Sequence, residues 1–112
     1  MATLLHLTTP DDWRAAQERG ALLPLEEFVH LSTPDQVALP ANRLFHGRPD
    51  VLLLVLDPAQ LTDVRWEPGV PGDPESMLFP HAYGAVPVAA VRAVVPYPAR
   101  PDGGFDAPDL PH

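Results

Sequence analysis

Eight residues beginning at His6, HLTTPDDW, are nearly rewritten as HLSTPDQV beginning at His30, and this duplication restricts the fold more than any other feature of the chain. In each copy an apolar run broken by histidine leads into a hydroxyl residue, a proline and an acid. Such a run reads as a short strand. The hydroxyl can cap a helix, the proline suits the first helical position, and the acid favours the positive end of the helix dipole. The duplication therefore predicts two strand-to-helix junctions in succession.

The first strand is expected over residues 3–7 and its helix from Pro10 to Arg19, ending at Gly20, where a left-handed terminus suits glycine. The second strand is expected over 27–31. Its helix starts at Thr33-Pro34, with Gln36 at the capping-box position, breaks at Pro40 and resumes through Ala41 to Phe45. Residues 50–56 (DVLLLVL) are apolar enough for a strand buried on both faces. Asp57-Pro58 begins a short turn or helical segment carrying Leu61. Further strands are expected over 64–67, 77–83 (closed by Gly84) and 88–95, with a loop, free to move, at the Pro- and Gly-rich segment 68–76. The order predicts a small α+β domain over residues 1–96, with two N-terminal helices on a mixed, mostly antiparallel sheet. Residues 97–112 offer little to bury and read as an extended, partly disordered tail rich in proline and glycine.

Composition narrows the chemistry. The chain of 112 residues has no cysteine, which excludes disulfides and thiol nucleophiles, and its seven basic residues are all arginine. Without lysine there is no Schiff base and no phosphate-loop amine. A net charge of −8 disfavours long polyanions, so nucleic acid is not an expected partner. No apolar run approaches the roughly 20 residues of a membrane span, and the start lacks signal-peptide character, so a soluble cytoplasmic protein is the default expectation.

Alternation places His6 with Thr8 on one strand face and His30 with Ser32 on another. If the strands are neighbours, both imidazoles and both hydroxyls gather at strand ends beside helix N-termini, which attract anions. Histidine can move a proton near neutrality. The plainer reading is a buried ring satisfied by a carbonyl, in front of an ordinary helix start. Phe79, His81 and Tyr83 alternate onto one face and either line a pocket or close the core. Glu67 is either a base or ribose anchor, or a solvated carboxylate beside Arg65. Asn42 and Arg43 follow the Pro40 break, where Arg43 either clamps a phosphate or joins a surface ion pair, and His46 reads as exposed. Scattered histidines without a close-spaced ligand motif give no expectation of a metal.

The phrases LLHLTTPDDW, EEFVHLSTPDQV, ANRLFHGRPDVLLLVLDPAQL, VRWEPG and LFPHAYGAVPVAAV resemble, in order and over roughly residues 3–95, the bacterial and plant family called domain of unknown function 952. That family is similar to a minimal ADP-ribosyltransferase fold, a split sheet gripping NAD in its cleft. The resemblance implies that His6 with Thr8 holds the nicotinamide ribose and that His30, Ser32 and Thr33 line the nicotinamide site. For the third position, often a glutamate, Glu67 and the His81–Tyr83 segment are both candidates. NAD or another ADP-ribose or phosphorylated ribose compound is the expected ligand, with ADP-ribosyl or phosphoryl transfer as the reaction and the acceptor unassigned. The catalytic set is then His6, His30 and Glu67; the binding set is Thr8, Ser32, Thr33, Asn42, Arg43, Phe79, His81 and Tyr83. Two rival expectations stand beside this one. A two-histidine phosphoesterase would use paired H-x-T/S motifs, although these usually lie farther apart, and a non-catalytic nucleotide-binding or interaction module would need no third motif.

Overall fold

A computed structural model describes residues 3–24, 27–70, 74 and 76–110. Strand β1 (Leu4–Thr8) leads into helix α1 (Pro10–Arg19), followed by β2 (Ala21–Leu22), β3 (Phe28–His30) and helix α2 (Ala38–Phe45). Strands β4 (Leu52–Leu56), β5 (Val64–Pro68), β6 (Leu78–Tyr83), β7 (Val86–Pro87) and β8 (Val91–Pro96) complete the order. Among the described residues every strand pair is antiparallel, in three sheets ordered β1-β4-β8, β2-β7 and β3-β6-β5. The architecture is thus a small α+β domain with antiparallel sheets and two helices.

The first junction forms as its residues dictate. Thr9 accepts from the Asp12 amide, Pro10 opens α1, and Gly20 closes it at φ 89° with its N–H on the Ala16 carbonyl. The second junction differs from expectation. Residues 34–37 form a turn held by Gln36 N–H and Val37 N–H on the Thr33 carbonyl, and α2 begins only at Ala38. Pro40 does not break it. It sits in the first turn, where the absent N–H has no intrahelical acceptor to lose. Gln36 completes half a capping box by accepting from the Thr33 amide at 3.0 Å, and donates from its other end to the Leu78 carbonyl.

Strand β4 is the centre of the molecule, with Leu53 and Leu54 fully buried on opposite faces. One face meets α1 and the β3-β6-β5 sheet through Leu4, Ala16, Val29, Leu31, Leu54 and Ala82. The other packs Leu5, Val51 and Leu53 under Val37 and Ala41 of the α2 region. The final strand starts later than expected, at Val91, because residues 88–90 form a 3₁₀ turn, and the two-residue β2–β7 ladder has no periodic signature in the sequence. Of the expected loop over 68–76, residues 71–73 and 75 lie outside the described residues.

Residues 97–110 carry no helix or strand, but the expectation that they bury little is corrected. Tyr97 and Phe105 are 5% and 2% exposed and belong to the core beneath α2. Asn42 clasps the Phe105 backbone from both sides, its Nδ2 donating to the carbonyl and its Oδ1 accepting from the N–H. No described helix is long and apolar enough to cross a membrane.

A histidine-lined candidate binding pocket

Strands β1 and β3 are edges of different sheets, joined by one isolated antiparallel bridge. Leu5 and Ser32 exchange both main-chain hydrogen bonds there, each at 2.8 Å. This bridge brings the two copies of the duplicated phrase together, and His6 Nδ1 donates to the His30 carbonyl at 2.8 Å. A carbonyl only accepts, so Nδ1 carries the proton and Nε2 is left for a ligand. Burial holds the His6 imidazole below its ordinary pKa, although the bond to the His30 carbonyl favours the protonated form.

The β3-β6-β5 sheet supplies a second wall. Its register sets His81 opposite both His30 and Arg65, Phe28 opposite Tyr83, and Glu67 opposite Phe79. Directly paired residues share a face, so this face gathers three aromatic rings, two imidazoles, Arg65 and Glu67, while Val29, Ala82 and Val64 point to the core. Phe28 stacks on His81 with ring centroids 4.0 Å apart, and His30 meets His81 edge-on at 5.5 Å. Helix α2 closes the opposite side with Pro40, Arg43, Leu44 and Phe45.

These walls enclose a pocket of about 430 Å³ into which His6, His30 and His81 all look, together with Ser32, Arg43 and Phe79. The sequence pairing of the two histidines thus corresponds to real proximity, and the plainer reading of a carbonyl-satisfied ring is also met in part, at His6 Nδ1. Other expected site residues stand elsewhere. Thr8 is buried opposite Leu52 and does not line the pocket. Thr33 serves the turn before α2, its hydroxyl donating to Asp35. Asn42, expected to meet ligand, spends its amide on the Ala38 carbonyl and on Phe105. Glu67 and Tyr83 share the sheet face of the lining residues but do not line the pocket; Glu67 Oε1 accepts from Tyr83 at 2.6 Å and from His81 Nδ1 at 2.9 Å. Tyr83 first and His81 second hold the Glu67 carboxyl below its usual range, and the same carboxylate pushes the Tyr83 phenol upward. Arg65 lies 3.9 Å over the Tyr83 ring and is paired with Asp63. The expected anion-friendly rim at the start of α1 is absent from the lining.

Sequence reasoning missed the apolar walls: Phe28, Leu44, Phe45, Pro68, Gly69 and Val70. Locally they resemble core or loop residues. The available signal was Phe28, two places before His30 and so on its face. Among the described residues no group of three or more histidine, aspartate and glutamate side chains is arranged to hold a metal ion.

The depressed His6 pKa has a consequence for stability. The unfolded chain takes up a proton near pH 6.5 and the folded ring only at lower pH, so below about pH 6.5 the unfolded state binds more protons. Stability is expected to fall as pH drops from 7 toward 5, by at most about 1.4 kcal/mol per pH unit from this group. Thermal melts across that range, repeated with His6→Gln, check it: the variant should show a flatter slope.

No curated protein sequence matches the chain. The fold is that of protein CC0527 from Caulobacter crescentus: its crystal structure is 24% identical with a TM-score of 0.79 over 93% of both chains. Its solution NMR structure is 25% identical with a TM-score of 0.75, covering 94% of this chain and 92% of that one. The family profile described as "Protein of unknown function (DUF952)" matches residues 7–94, and the chain belongs to that family.

Proposed function

We propose that the pocket binds a ribose-containing nucleotide, NAD or a related ADP-ribose or phosphorylated ribose compound. The observation that carries this reading is the convergence of His6, His30 and His81 on one mostly apolar pocket with Arg43 at its wall. Apolar walls suit the flat face of a base or nicotinamide ring, imidazoles suit sugar hydroxyls, and a guanidinium suits a phosphate. A volume of about 430 Å³ holds one ring and its ribose rather than a whole dinucleotide, so the remainder of NAD would lie outside. Two sheet edges that meet at a single bridge and part around the pocket are in keeping with an ADP-ribosyltransferase-like split sheet. Transfer of an ADP-ribosyl or phosphoryl group is the activity such a site would support.

Calorimetric titration with NAD, ADP-ribose, ribose 5-phosphate and a 2′,3′-cyclic nucleotide, with turnover followed by chromatography, tests the assignment. Binding of at least one is expected, adding about 2.7 kcal/mol to stability at 100 times its dissociation constant. His30→Ala and His6→Gln should each weaken it more than about tenfold, since each leaves a ligand polar group unpaired. Unchanged affinity in both variants overturns the proposal. Binding without turnover selects a second reading, a ligand-binding module without chemistry. That reading is favoured by Glu67 standing outside the pocket lining, where it meets His81 and Tyr83.

A further inference from the structure

We infer that His81 is the proton acceptor of this pocket and that Glu67 is its positioning residue, so that a water or hydroxyl bound there loses its proton to His81 Nε2. Three features of the ring argue for this. His81 is only 5% exposed but lines the pocket, so burial fixes it without removing it from a ligand. Its plane is held by the Phe28 ring, 14° from parallel, and by the edge-on His30 ring. Its Nδ1 lies 2.9 Å from Glu67 Oε1. The carboxylate oxygen also accepts from the Tyr83 hydroxyl at 2.6 Å, so it is held from two sides.

An ionised carboxylate only accepts, so Nδ1 bears a hydrogen and Nε2 of the neutral ring is a lone pair. Among the described residues no hydrogen-bond partner meets that nitrogen. A buried histidine that only filled space would leave a polar atom unpaired at a cost in free energy, which a ligand or water hydroxyl in the pocket would relieve. Proton uptake at Nε2 makes an imidazolium, and Glu67 balances its charge at contact distance. Glu67 therefore acts through His81 rather than on the ligand.

The step itself rests on the nucleotide reading above. A water gives its proton to Nε2 while its oxygen bonds to the ribose carbon of NAD. The carbon–nitrogen bond breaks with its electron pair going to nicotinamide, and the imidazolium then passes the proton to solvent. A substrate hydroxyl in place of water gives transfer instead of hydrolysis by the same proton path.

The test is made first without any substrate. Long-range ¹H–¹⁵N correlation of the imidazoles should show His81 with a protonated Nδ1 and a bare Nε2. In Glu67→Ala the other tautomer should gain population, and Glu67→Gln, whose carbonyl can still accept, should restore the first. Acylation by diethyl pyrocarbonate, mapped by mass spectrometry, should be about tenfold slower at His81 in Glu67→Ala, with exposed His46 as the internal reference. If NAD is turned over, His81→Asn should lower kcat by about a hundredfold with little change in KM. A protonated Nε2 in the parent protein, or equal acylation of His81 in parent and Glu67→Ala proteins, overturns the inference. A protein that ignores NAD but gives the expected spectra and acylation retains the base and loses only the nucleotide reading.

Discussion

Phe105→Ala will lower the unfolding free energy by about 3–5 kcal/mol, a loss typical of a phenylalanine deleted from a core. The side chain is 2% exposed and packs with Tyr97, whose ring centroid lies 4.9 Å away, among Leu5, Val51 and Leu53. Residues 97–110 have no strand or helix of their own, so their attachment rests on these two rings, the Asn42 clasp, and main-chain bonds from Tyr97 N–H to the Val51 carbonyl and from Gly47 N–H to the Gly103 carbonyl. Urea denaturation measures the loss, and limited proteolysis should show cleavage after residue 97 well before the sheets are cut. An exposed position in the same segment, Pro101→Ala, should change stability by less than about 0.5 kcal/mol. A tail merely lying on the surface would give the same small effect for Phe105.

Leu54→Ala should cost a similar amount, about 2–5 kcal/mol. Leu54 is fully buried in β4, in the core shared by the β1-β4-β8 sheet, α1 and the β3-β6-β5 sheet. It also stands directly opposite His6 in the β1–β4 register, and directly paired side chains support each other on one sheet face. The cavity left by truncation therefore opens next to an imidazole of the pocket. Chemical denaturation should show the stability loss, and ligand titration below the new transition should show weaker binding in protein that is still folded. Leu54→Met, close in volume, should cost less than about 1.5 kcal/mol and keep binding.

Much of this organisation could be read from residue pattern, and the failures share a cause. The first strand, α1 and its glycine terminus were legible because cap, proline, acids and Gly20 all act within the chain's own neighbourhood. The duplicated phrase made the meeting of His6 and His30 legible only as proximity: one bridge between Leu5 and Ser32 brings the copies together, although the second opens a turn where the first opens a helix. Pro40 was misread because a proline breaks a helix only where an N–H is needed, and the delayed start of α2 places it where none is. Tyr97 and Phe105 were misread because two rings in a proline-rich stretch show no period, and their burial depends on α2 and β4, distant in sequence. Asn42 followed the same logic: an amide beside an arginine suggested a ligand contact, whereas its partner lies 63 residues away. Glu67 was recognised as chemically interesting, but its side chain meets His81 and Tyr83 through strand pairing that composition cannot reveal.

Helix α2 carries both of these lessons on one short rod. Asn42 grips the C-terminal segment, while Pro40, Arg43, Leu44 and Phe45 face the pocket. Where both occupants steady the same partition their effects are linked, and reciprocity makes that linkage equal in both directions. Guests in the hollow should slow peeling of residues 97–110, and trimming that stretch should quicken their escape, although none of these residues lines the hollow.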